Sequence, residues 1–160
     1  MRHQRHRHYV LNQALGSTGA GEYELAQALT KRGWTFTRQQ RIKQPTVNSG
    51  RYWFVDFAWW KSDDEPGLIV ELTWHNVDPL EESRRRRTLH LLDLGWHVLF
   101  VTVDSPVLRL FEAAADVVAL HAQSIKRGKN VRRLVVARAV MSHGHEGWHP
   151  VVTIRDPWRV

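Results

Sequence analysis

The stretch that most restricts how this chain can fold is Phe54-Val-Asp-Phe-Ala58 followed by Gly67-Leu-Ile-Val-Glu-Leu-Thr73. Each is a short apolar run rich in aromatic or β-branched residues, the pattern of a strand with a buried face. Each also holds one carboxylate, Asp56 or Glu71, fifteen residues apart. Asp63-Asp-Glu-Pro-Gly67 reads as the turn between them. Two strands joined this way can bring both acids side by side at one end of a sheet. An unpaired buried charge costs several kcal/mol, so each acid needs compensation. A divalent cation supplies it for both; an ion pair with an arginine is the structural alternative for each.

Around these strands, Leu25, Ala28 and Leu29 recur at helical spacing and predict a helix over 20–32, with Ser17 or Thr18 as a start signal and Gly33 as a stop. Trp34 to Ile42 alternates large and polar residues as a strand does, and Pro45 to Gly50 is a loop. Strands are expected at 51–59 and 67–73. Asp78-Pro79 opens a helix over 80–94 that stops before Gly95, and Trp96 to Val103 is a nearly continuous apolar strand buried on both faces. Ser105-Pro106 reads as an N-cap and first-turn proline for a helix carrying Leu108, Leu110, Phe111 and Ala114. Val117 to Ala122 fits strand or helix, and Lys126 to Arg133 is a basic turn. Leu134–Val140 and Pro150–Ile154 read as strands around a His-rich turn.

The expected fold class is therefore α/β (α+β). An αβββαβ core forms a mixed sheet with helices on both faces: antiparallel where turns are short, parallel where a helix crosses over. The expected organisation is a basic arm over 1–19, a core over 20–116, and a basic C-terminal extension over 117–160 packed on the same domain.

The 160 residues suffice for one real core, and the formal net charge of +7 favours a polyanionic partner without choosing among DNA, RNA and anionic lipid. The absence of Cys excludes disulfides and thiolate metal sites and is compatible with a reducing compartment. No apolar run approaches the ~20 residues of a membrane helix, and Met1-Arg-His-Gln-Arg-His-Arg-His8 lacks a signal peptide's apolar segment. The expected location is cytoplasmic, nucleoid-associated in a bacterium, with no membrane partner.

Four motifs fall in order along residues 20–115. Glu22-x-x-Leu25-x-x-x-Leu29 resembles a first-helix glutamate motif, and Gly33-Trp-Thr-Phe-Thr-Arg-Gln-Gln40 a strand ending in glutamine. Arg51 to Ala58 resembles a strand carrying a metal-binding Asp, and Arg87-x-x-x-Leu91-x-x-x-Gly95-Trp-His-Val-Leu99 a closing helix, turn and strand. Together they resemble the PD-(D/E)XK nuclease superfamily, with its restriction-endonuclease-like core, and within it the very-short-patch repair (Vsr-like) endonucleases.

That resemblance implies Mg²⁺, or Mn²⁺, held by Asp56, Glu71 and the main-chain carbonyl of Thr73. Thr73 stands where many members have Lys, as it does in the Vsr-like branch. Glu22 would join this shell, with Glu24 as the register alternative, and Gln40 would orient the substrate or the glutamate. His75 would act as general base or proton shuttle, its ordinary pKa being ~6.5. In that branch a His directly follows the Thr; here Trp74 intervenes, and strand alternation turns His75 to the other side unless the strand bulges or ends there. The Vsr-like zinc site needs Cys, so no zinc is expected. Trp59, Trp60 and Trp74 are candidate duplex wedges, with core packing as the alternative. His90 and His97 are read as parts of the closing helix and strand.

Arg84, Arg85, Arg86 and Arg87, with Lys126, Arg127, Lys129, Arg132 and Arg133, are expected to contact phosphates; a solvated charged face is the alternative. His143, His145 and His149 fit a weak metal tract or a plain turn. The function expected is a Mg²⁺-dependent DNA endonuclease. The rival readings are a nuclease fold kept as a DNA-binding or assembly module, and a nuclease subunit of a larger transposition or defence complex with a protein partner.

Overall fold

The computed structural model describes residues 21–45, 50–74 and 76–159. The arm over 1–19, with Ser17 and Thr18, lies outside them, as does His75. The elements are α1 (Glu22–Lys31), β1 (Thr37–Lys43), β2 (Tyr52–Ser62), β3 (Glu65–Thr73), α2 (Glu82–Asp93), β4 (His97–Val103), α3 (Leu108–Lys126), β5 (Leu134–Gly144) and β6 (Gly147–Arg155). The strands form one six-stranded mixed sheet in the order β1-β2-β3-β4-β5-β6. Pairing is antiparallel from β1 to β3 and between β5 and β6, and parallel where α2 and α3 carry the chain across.

Two apolar clusters flank the sheet. Leu25, Ala28 and Leu29 of α1 and Leu110, Phe111, Ala114, Val118 and Ala122 of α3 pack with Phe57, Val70 and Leu99 on one face. Leu91 of α2 packs with Val55, Ala58, Ile69 and Phe100 on the other. Burying a side chain such as Phe57 or Leu99 contributes about 1.5–3 kcal/mol, enough to fix which face each strand presents. The β4 residues Val98 to Val103 are buried on both faces, as their continuous apolar run requires.

The helices stop where glycine can adopt a left-handed backbone. After α1 and α2, Gly33 (φ 82°) and Gly95 (φ 101°) make that turn. The Trp34 and Trp96 amides then donate back to the Leu29 and Leu91 carbonyls at 3.0 and 3.2 Å.

Three local expectations change. The β2–β3 turn is only Asp63-Asp64, and strand resumes at Glu65. Pro66 is tolerated there because the β2–β3 register shifts on both sides of Trp60. Gly67 follows because a Cβ there would meet the Trp59 carbonyl at 2.5 Å. Ser105 does not cap α3: Val107 holds the N-cap position without a side-chain cap, and the Ser105 carbonyl accepts from the Val107 amide at 2.8 Å. Residues 117–122 are helical because Val118, Ala122 and Ile125 prolong the buried stripe of α3. The boundary expected at 116/117 therefore falls inside that helix, and β5 and β6 extend the same sheet.

Candidate active site

The acids meet where the sheet opens. The β2–β3 ladder runs to Phe57↔Val70, and on that register Asp56 comes level with Glu71. Beyond it the strands part, and each carboxylate takes an amide from the parting backbone. The Asp56 amide donates to Glu71 Oε2 at 2.9 Å, and the Leu72 amide donates to Asp56 Oδ2 at 2.8 Å. The same region opens on its other side. Arg38↔Phe57 and Gln40↔Val55 are paired in the β1–β2 ladder, while Gln39 between them sits at φ 52°. A non-glycine residue held there costs of order 1–3 kcal/mol, so its surroundings must fix it.

What fixes Gln39 is a third acid. Its side-chain amide donates to Glu22 Oε1 and Oε2 at 3.2 and 3.0 Å and to Asp56 Oδ1 at 3.4 Å. Glu22 comes from the first turn of α1, is 3% exposed, and also receives Arg38 at 3.4 Å. From the opposite face, Arg87 of α2 donates to Glu71 Oε1 at 2.6 Å and to the Phe54 carbonyl at 3.0 Å. One helix on each face of the sheet thus contributes a charged side chain to one cluster: Glu22, Asp56 and Glu71, linked by Gln39 and flanked by Arg38 and Arg87.

The electrostatics follow from burial and repulsion. Desolvation, then the facing Glu71 and Glu22 carboxylates, hold Asp56 well above the usual carboxylate range. Burial also raises Glu71, against the lowering effect of Arg87. Oxygen donors that repel one another in a partly dry site suit a hard cation such as Mg²⁺. As the side chains stand, however, Arg87 and the two amides occupy carboxylate oxygens. Among the described residues no group of three or more His, Asp or Glu side chains is set up to hold an ion. The residues fit a cation in kind, and Arg87 stands as a competitor for Glu71 Oε1.

Of the residues expected at this site, the structure brings together Glu22, Asp56 and Glu71. Thr73 is two residues further along β3, its hydroxyl 3.0 Å from that of Thr102. Gln40 is not at the cluster: its amide donates to the Arg41 carbonyl at 3.1 Å, and Gln39 takes the place expected for it. Adjacent glutamines gave no sequence signal for choosing, and the left-handed backbone at Gln39 decides which one turns inward. Arg87 holds Glu71, while Arg84, Arg85 and Arg86 are exposed on the same end of α2.

The second basic segment lies elsewhere. It precedes β5, whose Leu134 pairs with Val98 near the start of β4, whereas Glu71 pairs with Phe100. There Arg133 donates to the Leu92 and Trp96 carbonyls at 2.7 Å each. Arg132 pairs with Asp156 at 3.7 Å, Lys126 lies over the Trp34 ring, and Arg127 and Lys129 are exposed. Trp74 is buried against Phe111 and Trp59 packs edge-on to Trp34. Neither is free to wedge into a duplex; Trp60, 39% exposed, lies against Trp96.

Comparison with family models, with curated proteins and with solved structures yields no match to this chain. Among the described residues, no helix is long and apolar enough to cross a membrane.

Proposed function

We propose that this chain is a metal-dependent nuclease of the PD-(D/E)XK type, acting on DNA in the manner of the Vsr-like endonucleases it resembles. The observation that carries the reading is the buried meeting of Glu22, Asp56 and Glu71 at the opened end of β2 and β3. Asp56, Glu71 and the Thr73 carbonyl would hold Mg²⁺, with Glu22 supporting them. Bound there, the ion would lower the pKa of a water and stabilise charge on the attacked phosphate. Gln39 keeps Glu22 and Asp56 at a fixed spacing. Arg84, Arg85 and Arg86 give the same end of α2 a positive surface for a phosphate backbone.

The test is cleavage of labelled single-stranded, duplex and mismatched DNA with Mg²⁺, Mn²⁺ or EDTA, comparing wild type with Asp56→Ala. Metal-dependent cutting that the variant loses supports the reading; cutting equal in EDTA, or equal in the variant, overturns it.

A second reading has its own observation. Arg87 at 2.6 Å already gives Glu71 a cation, so the cluster can serve as a structural tie in a DNA-binding or assembly module. DNA binding with steep salt dependence, unmoved by EDTA and without cutting, would favour that reading. Cutting that appears only with a protein partner would instead mark a subunit of a larger complex.

A further inference from the structure

About 10 Å back along β3 and β4 from the carboxylates, a second pair of groups lacks partners. His97 opens β4 and His121 lies on α3 facing it, with ring centroids 6.4 Å apart and planes at 74°. Main chain lies beside each ring, that of Gly67 for His97 and that of Arg132 for His121. His97 Nδ1 and His121 Nε2 are buried with no hydrogen-bond partner. A buried polar atom left unpaired costs about 1–3 kcal/mol, and here there are two in adjacent rings.

We propose that His97 and His121 form a two-imidazole site for a borderline transition-metal ion such as Zn²⁺ or Ni²⁺, distinct from the carboxylate cluster. A neutral imidazole carries a lone pair on one ring nitrogen, and a metal ion is a partner that can take such a pair from both rings at once. The spacing is too wide for a direct ring-to-ring hydrogen bond, which spans centroids by roughly 5 Å. Two imidazoles sharing an ion at ~2.0–2.1 Å place their centroids roughly 6.5 Å apart when opposed across it and roughly 5.3 Å apart in a tetrahedral shell. The 6.4 Å spacing therefore suits opposed ligands, and a tetrahedral ion draws the rings together by about 1 Å.

His97 opens onto a cavity of about 360 Å³ that Glu65, Lys61 and Lys129 also line, a route for an ion and for the solvent ligands that would complete its shell. Lys61, Lys129 and nearby Arg133 make the surroundings basic, so a hard ion held by charge alone gains little. Nitrogen lone pairs select a softer ion by ligand type. Burial, with Arg133 and His121, also holds His97 down to about 4, and burial lowers His121. Both rings are therefore unprotonated and ready to ligate at neutral pH.

The test titrates tag-free, EDTA-stripped and dialysed full chain with Zn²⁺, Ni²⁺ or Mg²⁺ by calorimetry at pH 7.5, and locates the ion by anomalous scattering from Zn²⁺-soaked wild-type crystals. Zn²⁺ and Ni²⁺ should fill one class of site that His97→Gln and His121→Gln each weaken by at least about tenfold. Mg²⁺ should not compete there, and Asp56→Ala should leave the site intact. An anomalous peak between the two rings supports the proposal. A peak only at His143–His149 or the N-terminal histidines, or titrations unchanged in both variants, overturns it. If the variants do not fold, the wild-type peak decides alone.

Discussion

The two ends of β3 treat buried polar groups in opposite ways. At the far end, Asp56 and Glu71 are ringed by donors: two backbone amides, Gln39 and Arg87. At the near end, His97 and His121 each bury one ring nitrogen without a hydrogen-bond partner. The first has excess negative charge already partly compensated; the second has polar ring atoms without compensation. An ion on Glu71 Oε1 competes with Arg87, whereas among the described residues His97 and His121 have no cation salt-bridged to them.

The largest expected effect is on cleavage. Asp56→Ala should reduce Mg²⁺-dependent DNA cutting by about 10²–10³-fold or more, since it removes a ligand and adds none. His97→Gln should leave cutting within about twofold of wild type. Equal losses in the two variants, read from initial rates on the same substrate, would break the division between the ends.

Next comes the arginine that separates the two chemistries. Arg87→Ala leaves Glu71, its side chain 13% exposed, without its cation. That should cost about 2–4 kcal/mol in urea unfolding, below the value for a fully buried pair because Arg87 itself is 31% exposed. Millimolar Mg²⁺ should restore part of the loss in the variant and do less for wild type. A variant as unstable with Mg²⁺ as without it would show that the acids do not take the ion, and the structural-tie reading would gain.

How far these ends were legible beforehand differs for physical reasons. The strand pair and the pairing of Asp56 with Glu71 follow from local pattern, because apolar runs with period-two faces fix register over short loops, whereas the turn is shorter than Asp63–Gly67 suggested because β3 already resumes at Glu65. Glu22 was legible as a helix acid in the right turn, though its burial depends on the tertiary packing of α1 against α3. Gln39 over Gln40 was not, since the choice rests on one backbone dihedral. Nor was the role of Arg87: a run of four arginines hides which one faces inward until α2 is docked. The pairing of His97 with His121 joins residues on different elements, and no sequence spacing encodes it. The basic segment is a loop from Arg127 onward, with Lys126 closing α3, and only the parallel β4–β5 pairing puts it away from the acids.

Acidity should move the two ends in opposite directions. Asp56 and Glu71 are raised in the folded state, so the folded form takes up protons more readily than the unfolded one. Their contribution is present below the unfolded carboxylate range and is lost as pH rises through the raised values. Asp56→Asn should therefore raise Tm at pH 8, by roughly 2–6 °C, while ending cleavage. His97 is lowered from 6.5 to about 4, so its contribution is complete above pH 6.5 and is lost as pH falls toward 4. Allowing for the partial exposure of His97, that loss is about 1–2 kcal/mol. Thermal unfolding from pH 4 to pH 8 should show Asp56→Asn flattening the alkaline limb and His97→Gln the acid limb; a change on the same limb in both would contradict the assignment.

The smallest effect bears on which surface meets DNA. Arg85 is exposed on α2, two residues before Arg87, and Lys129 is exposed beside the His97 cavity. Both are cations of a chain carrying a net +7, so a nonspecific polycation effect would weaken binding equally for either alanine variant. If the backbone runs past the carboxylates, only Arg85→Ala should matter. Its binding should weaken by about threefold at moderate salt, with the slope of log K against log salt reduced by about 0.9, the share of one phosphate contact. Lys129→Ala should leave both constant and slope unchanged, because its end of the sheet would lie off the path of the strand. Fluorescence anisotropy with a labelled duplex, over about 50–200 mM salt, separates the cases. Equal slopes for the two variants would make the basic charge diffuse and detach DNA binding from the carboxylate end.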